Sequence, residues 1–161
     1  MDYLAQYDQE TYIFETIRNR FEEHGFITGY DFFCIVIWKA NRAKTLIAKR
    51  LLEKGKFDNL DDAVMSLTNG ISKAIDQKER LRYLMKDWGF QLPMATAILT
   101  ALYPDDFTVY DIRVCDELND FHKLKNIVNF ESIWSGYQTY IQMVESAEPE
   151  GLSLRDKDRF L

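Results

Sequence analysis

The chain has 161 residues, 47% hydrophobic and 29% charged, with a formal net charge of −6. That length suits a single domain with a real core, and the balance is that of a globular chain rather than a disordered one. The acidity argues against strong nonspecific nucleic-acid binding, which depends on phosphate neutralisation, though not against a local basic face, and no run approaches the ~20 apolar residues that a bilayer crossing needs.

Glycine and proline are scarce, at 7 and 3, which favours long helices over an all-β fold. The start, Met1-Asp2-Tyr3-Leu4, is acidic, unlike a signal peptide. Residues 8–24 place Tyr12, Phe14, Ile17 and Phe21 near helical spacing, and Gly25 stops the helix. The run 31–40 is densely apolar; a buried strand fits it, but a buried helix fits better because helical patterning continues through Lys54. Residues 43–54 are good helix formers, with Gly55 as the C-terminal stop. Asn59 caps a helix to about Ile75, and Asp76 starts the next, through Trp88. Gly89 breaks it, Pro93 opens another that ends before Pro104, and Asp111 starts one to about Asp120. Asn129 caps a long helix through Ser146, Glu148-Pro149-Glu150-Gly151 is a turn, and 152–161 is a short terminal helix. The expectation is an all-α single domain over residues 1–161 with no internal linker.

Most of the 11 Phe, 9 Tyr and 3 Trp are expected in the core. Cys34 and Cys115 lie in apolar helical patterns and read as reduced, cytoplasmic thiols. His24 and His122 are isolated, and no glycine-rich phosphate loop, zinc spacing or Ser-His-Asp order is visible, so neither a metal nor a cofactor is expected.

The informative stretch is LRYLMKDWGFQLPMATAILTALYPDDFTVYDIRVCDEL, residues 81–118. It reads as helix, tight hairpin, helix, short loop, helix. Pro93 suits a first helical turn, Ala95, Ala97 and Ala101 allow close helix approach, and backbone N–H groups at that helix start suit a phosphate. Leu84, Gly89 and Phe90, then Met94-Ala95-Thr96-Ala97-Ile98-Leu99, then Phe107-Thr108-Val109-Tyr110-Asp111 and Ile112-Arg113-Val114 follow one another in order. This pattern resembles the helix-hairpin-helix plus Gly-Pro-Asp superfamily of DNA glycosylases, which includes the 8-oxoguanine glycosylases. The match runs over residues 84–118, inside a hairpin core at about 78–121.

The resemblance implies a helix-hairpin-helix glycosylase-like helical fold, DNA as a partner, and Asp111 as the catalytic carboxylate. In that family the matching aspartate stabilises positive charge developing on the sugar as the base leaves, or helps activate the attacking group. Two positions depart from the pattern. Gln91 stands where the family usually has a second hairpin glycine, and Pro93 where bifunctional members carry the nucleophilic lysine. Proline has no amine and forms no Schiff base, so the chain resembles monofunctional members, or a binding-only descendant.

The same resemblance makes Lys86, Gly89, Phe90, Gln91, Leu92 and Met94 the candidate DNA contacts of the hairpin. A basic stretch beginning with Lys39 and Arg42, and continuing with Lys44, Lys49, Arg50 and Lys54 against Glu53 alone, is a second candidate surface. Lys39 is also a candidate replacement for the missing amine. Trp38 and Tyr110 read by default as core packing, and are also candidates to wall a base pocket by stacking. The function expected is excision of a damaged or modified DNA base, monofunctional if active. The alternatives are a noncatalytic DNA- or protein-binding module on the same fold, and an enzyme acting on free nucleosides or modified nucleotides rather than duplex DNA.

Overall fold

A computed structural model of the chain describes residues 8–147 and 151–160. All of its regular structure is helical, with no strand among the described residues, and no described helix is long and apolar enough to cross a membrane. The expected turn at 148–151 lies outside the described residues, apart from Gly151. Where the sequence suggests one domain, the chain divides into two compact units, Met1–Ile75 and Asp76–Leu161. No Gly- or Pro-rich linker marks the division. Ala74 leaves the helical conformation, Ile75 is 89% exposed, and Asp76 caps the next helix by accepting from Glu79 N.

Among the described residues, the first unit holds four helices. Helix α1 joins Gln9–Thr11, a π-helical stretch Tyr12–Ile17 and Arg18–His24. Asp8 caps its start, and Gly25 ends it at φ 74°, a left-handed conformation that glycine adopts without penalty. Helix α2 is Gly29–Ala40, so the apolar run is a helix and not a strand. A 3-10 turn, Asn41–Ala43, leads into α3, Lys44–Gly55, and Asn59 caps α4, Leu60–Lys73.

Helix α2 packs on α1, α3 and α4, and Ile17, Phe32, Ile35, Leu51, Leu67 and Ile71 are buried. Buried polar atoms are met individually. Ile27 N donates to Thr68 Oγ1 at 3.1 Å, and Gly29 N to Asp61 Oδ1 at 2.9 Å. The Asp31 carboxylate is fully buried, held by Arg20 at 2.9 Å and by the Tyr12 hydroxyl at 2.6 Å. A buried carboxylate is tolerated only when its lone pairs are filled in this way.

The second unit begins with α5, Gln77–Arg82 running on as a π-helical stretch, Tyr83–Asp87. Then come α6, Leu92–Leu102, and α7, Ile112–Leu118. A 3-10 turn at Leu124–Asn126 precedes α8, Phe130–Glu145, and α9 is Leu154–Phe160. Ten of the eleven residues of α6 are buried, which makes it the central helix of the unit. Its alanines leave room for neighbouring elements, and Thr96 and Thr100 return their hydroxyls to carbonyls one turn back, at 2.8 and 2.6 Å.

Candidate functional site

The hairpin between α5 and α6 is built by a helix end that widens before it stops. Trp88 N reaches back five residues to Tyr83 O at 3.2 Å, and Phe90 N reaches back six to Leu84 O at 3.0 Å. An ordinary helix end of this kind closes one residue tighter; the π-helical stretch supplies the extra residue. Gly89 makes the turn at φ 78°, with nothing within 4 Å of where a Cβ would sit. Gln91 precedes α6 in extended conformation and accepts from Ala95 N through its carbonyl at 2.9 Å. Its side chain makes no capping bond. Pro93 sits in the first turn of α6, one residue inside the helix start at Leu92.

These positions sort the expected DNA contacts. Gly89 and Gln91 are exposed, whereas Phe90, Leu92 and Met94 are buried. The hairpin therefore offers a ligand its backbone and the Gln91 side chain, and the apolar side chains anchor it from beneath. Lys86 is exposed, but its Nζ donates to Val128 O at 2.9 Å. It ties the hairpin helix to the segment before α8 instead of standing free for a phosphate.

The segment 107–111 delivers Asp111 to the start of α7, and its backbone is fixed by three buried hydroxyls. The Tyr137 hydroxyl accepts from Thr108 N at 3.1 Å and donates to Thr108 O at 2.6 Å. The Tyr140 hydroxyl donates to Val109 O at 2.9 Å and accepts from Asp111 N at 3.4 Å. Thr96 Oγ1 accepts from Tyr110 N at 2.9 Å. Phe107, Thr108, Val109 and Tyr110 are buried, so the groups of Thr108, Val109 and Tyr110 are satisfied from within the protein. Asp111 itself is half-buried, and Oδ1 accepts from Arg113 N at 2.8 Å as the cap of α7.

Tyr110 does not wall an open pocket. Its side chain is 1% exposed, and its hydroxyl donates to Phe121 O at 2.5 Å. Its ring packs 5.3 Å from that of Tyr140. Burial pushes its hydroxyl well above the ordinary 10.0. Phe121 holds φ 72° and Asn119 φ 53°, left-handed conformations that cost a bulky side chain energy. Cys115 is a buried free thiol, raised above its ordinary value first by burial and further by the charges of Asp111 and Asp116. Such a thiol is a poor nucleophile. His122 lies 2.7 Å from Asp116 Oδ1.

Trp38, Lys39 and Arg42 belong to the first unit. Trp38 is half-buried and meets the Phe14 ring edge-on at 5.6 Å. Lys39 is half-buried near the end of α2, and Arg42 is exposed in the 3-10 turn. Sequence reasoning overlooked Tyr137 and Tyr140 as supports of the Asp111 segment. The available signal was a pair of tyrosines three apart on the buried face of α8, where apolar side chains would serve a plain core.

The arrangement can present one carboxylate at a fixed place, in the same unit as a hairpin with exposed backbone. It offers no amine at Pro93. The chain matches no family model, no curated protein and no solved structure at a significant level.

Proposed function

We propose that the chain is a DNA base-excision glycosylase-like protein, monofunctional, in which Asp111 acts on a damaged or modified nucleotide extruded from the helix. The observation that carries this reading is the support given to residues 107–111. Thr96, Tyr137 and Tyr140 hold the backbone ahead of Asp111 with five hydrogen bonds, more than an ordinary helix cap needs. A fixed anion is worth most where positive charge develops and no reorganisation is required at the moment of reaction. As the C1′–N bond breaks, its electron pair leaves with the base, and the carboxylate stabilises the resulting oxocarbenium. Water then adds at C1′ and gives up its proton, with Asp111 as the nearby acceptor. Extrusion costs a few kcal/mol, least for damaged or mispaired bases.

The test is single-turnover base release from duplex and single-stranded oligonucleotides carrying 8-oxoguanine, uracil, hypoxanthine or alkylated purines, with borohydride trapping in parallel. Release that is lost in Asp111→Asn, with no trapped adduct, is the expected result. A trapped adduct would show that an amine such as Lys39 acts as nucleophile and would overturn the mechanism.

A second reading is a noncatalytic binding module on the same fold. It is favoured by Lys86, committed to the Val128 carbonyl, and by Asp111 Oδ1, already engaged in capping. A binding module would keep its ligand affinity in Asp111→Asn and release no base from any substrate.

A further inference from the structure

Within the first unit, Arg20 on α1 meets the buried carboxylate of Asp31 on α2 through a single nitrogen. Nη1 donates to Oδ1 at 3.1 Å and to Oδ2 at 2.9 Å, and also to the Tyr12 hydroxyl at 3.2 Å. An arginine that only neutralises a carboxylate does so best through two nitrogens in parallel, as a fork. Here the fork formed by Nε and Nη2 is unspent, since neither makes a hydrogen bond among the described residues. In a planar guanidinium that edge lies opposite Nη1. The Asp31 side chain is fully buried and that of Arg20 is 50% exposed, so the group turns one nitrogen inward and its fork away.

Tyr12 fixes the guanidinium from a second side, with Arg20 Cζ 5.9 Å from the centroid of its ring. The two residues are eight apart on α1, which sets them about 80° apart around a regular α-helix. The π-helical stretch Tyr12–Ile17 widens the turn between them and brings the side chains together. Such stretches are rare and are frequent at functional sites. A buried ion pair, for its part, seldom adds net stability once desolvation is counted. An aiming role for the carboxylate and the phenol accounts for both features.

We propose that Arg20, aimed by Asp31 and Tyr12, anchors a binding site for a doubly charged phosphate group, as on a phosphate monoester. The free edge offers N–H groups on two adjacent nitrogens, the spacing that matches two phosphate oxygens. Charge favours phosphate over carboxylate. Asp31 offsets much of the guanidinium charge, so a singly charged ligand gains little, whereas a phosphate monoester carries about −1.5 to −2 at neutral pH. The site lies wholly in the first unit and does not depend on the glycosylase-like reading.

The experiment is a titration of the full chain with sodium phosphate, followed by proton–nitrogen correlation NMR of the arginine Nε–H groups. The pH is fixed, and sodium chloride holds the ionic strength constant. Arg42 is the internal control, being exposed and without a hydrogen bond or ion pair among the described residues. The Arg20 signal should shift saturably with a millimolar midpoint, while that of Arg42 moves little. Arg20→Lys keeps a charge for Asp31 but lacks the fork. With its fold checked by circular dichroism, it should lose the phosphate-induced shifts of the Tyr12 and Asp31 amides. If that variant does not fold, the contrast between Arg20 and Arg42 in the wild type decides alone. Acetate and dimethyl phosphate, both singly charged, should bind much more weakly than phosphate. No saturable shift at Arg20, an equal response at Arg42, or amide shifts that persist in Arg20→Lys overturns the site. Acetate or dimethyl phosphate binding as tightly as phosphate overturns the assignment to a doubly charged group.

Discussion

Tyr137→Phe removes a single oxygen from the core, and its cost follows from what that oxygen holds. The hydroxyl satisfies both Thr108 N, at 3.1 Å, and Thr108 O, at 2.6 Å, in a residue that is fully buried. The ring stays, stacked against Phe107 at 6.3 Å and Tyr140 at 6.0 Å, so no cavity opens. Each buried group left without a partner costs about 1–3 kcal/mol, and two together give about 2–4 kcal/mol after local relaxation. Tyr140→Phe orphans only Val109 O, because its second bond, from Asp111 N, is long at 3.4 Å and lies at a half-buried residue that water reaches. Its cost is about 1–2 kcal/mol. Urea unfolding followed by far-UV circular dichroism and tryptophan fluorescence gives both values, and coincidence of the two probes tests whether the two units unfold together. A Tyr137→Phe cost below about 1 kcal/mol, or below that of Tyr140→Phe, would refute the idea that hydroxyl pairing fixes the segment.

Four further outcomes follow. Thr108→Val should be neutral or stabilising, by up to about 1 kcal/mol, because it removes a buried hydroxyl that has no hydrogen-bond partner; the same urea titration measures it, and a loss of stability would show that the hydroxyl has a partner in solution. Gly89→Ala should destabilise by about 1 kcal/mol through the left-handed backbone alone, since a Cβ there meets nothing within 4 Å; a much larger loss would mean that the hairpin is packed more tightly than this. Asp111→Asn should leave the melting temperature nearly unchanged, because asparagine caps helices as well as aspartate does, while base release falls about a hundredfold or more; parallel loss of both would mean that the carboxylate is structural. The Tyr12 hydroxyl is pushed up from 10.0 to about 12, first by burial, then by its bond to Asp31 and the charge there. An acid whose pKa rises on folding contributes stability that is whole below its unfolded value and is lost as pH climbs toward the folded one. The stability difference between wild type and Tyr12→Phe should therefore be flat below about pH 10 and shrink toward pH 12, and a difference that stays flat to the top of that range would contradict the assignment.

Much of the helical frame is legible because caps are local chemistry. Asn59, Asp76, Asp111 and Asn129 each accept from a backbone N–H two or three residues on, and side chains that compete for the backbone in this way mark helix starts in any sequence. Gly25 and Gly89 take the left-handed turns expected of them. Gly55 does not. It stays within α3, where the Phe57 ring leaves no room for a Cβ, 1.9 Å away, and Lys56 takes the left-handed position at φ 54°. That outcome depends on how one ring packs, which spacing does not report. The π-helical stretches at Tyr12–Ile17 and Tyr83–Asp87 leave no compositional mark either. At the candidate site, the hairpin glycine and the capping role of Asp111 were readable. The attachment of Lys86 to Val128 and the support from Tyr137 and Tyr140 were not, because each joins residues far apart in the chain.

The groups that hold residues 107–111 are all uncharged. Threonine and tyrosine hydroxyls carry no charge across the acid and neutral range, and bonds between neutral buried partners are indifferent to ionic strength. The scaffold beneath Asp111 should thus keep one shape whether the solution is dilute or saline, mildly acidic or neutral. On the glycosylase-like reading proposed above, any bell or sigmoid in a pH–rate profile, and any sensitivity of turnover to added salt, would then report the carboxylate and its substrate, not a loosening of the platform that carries it.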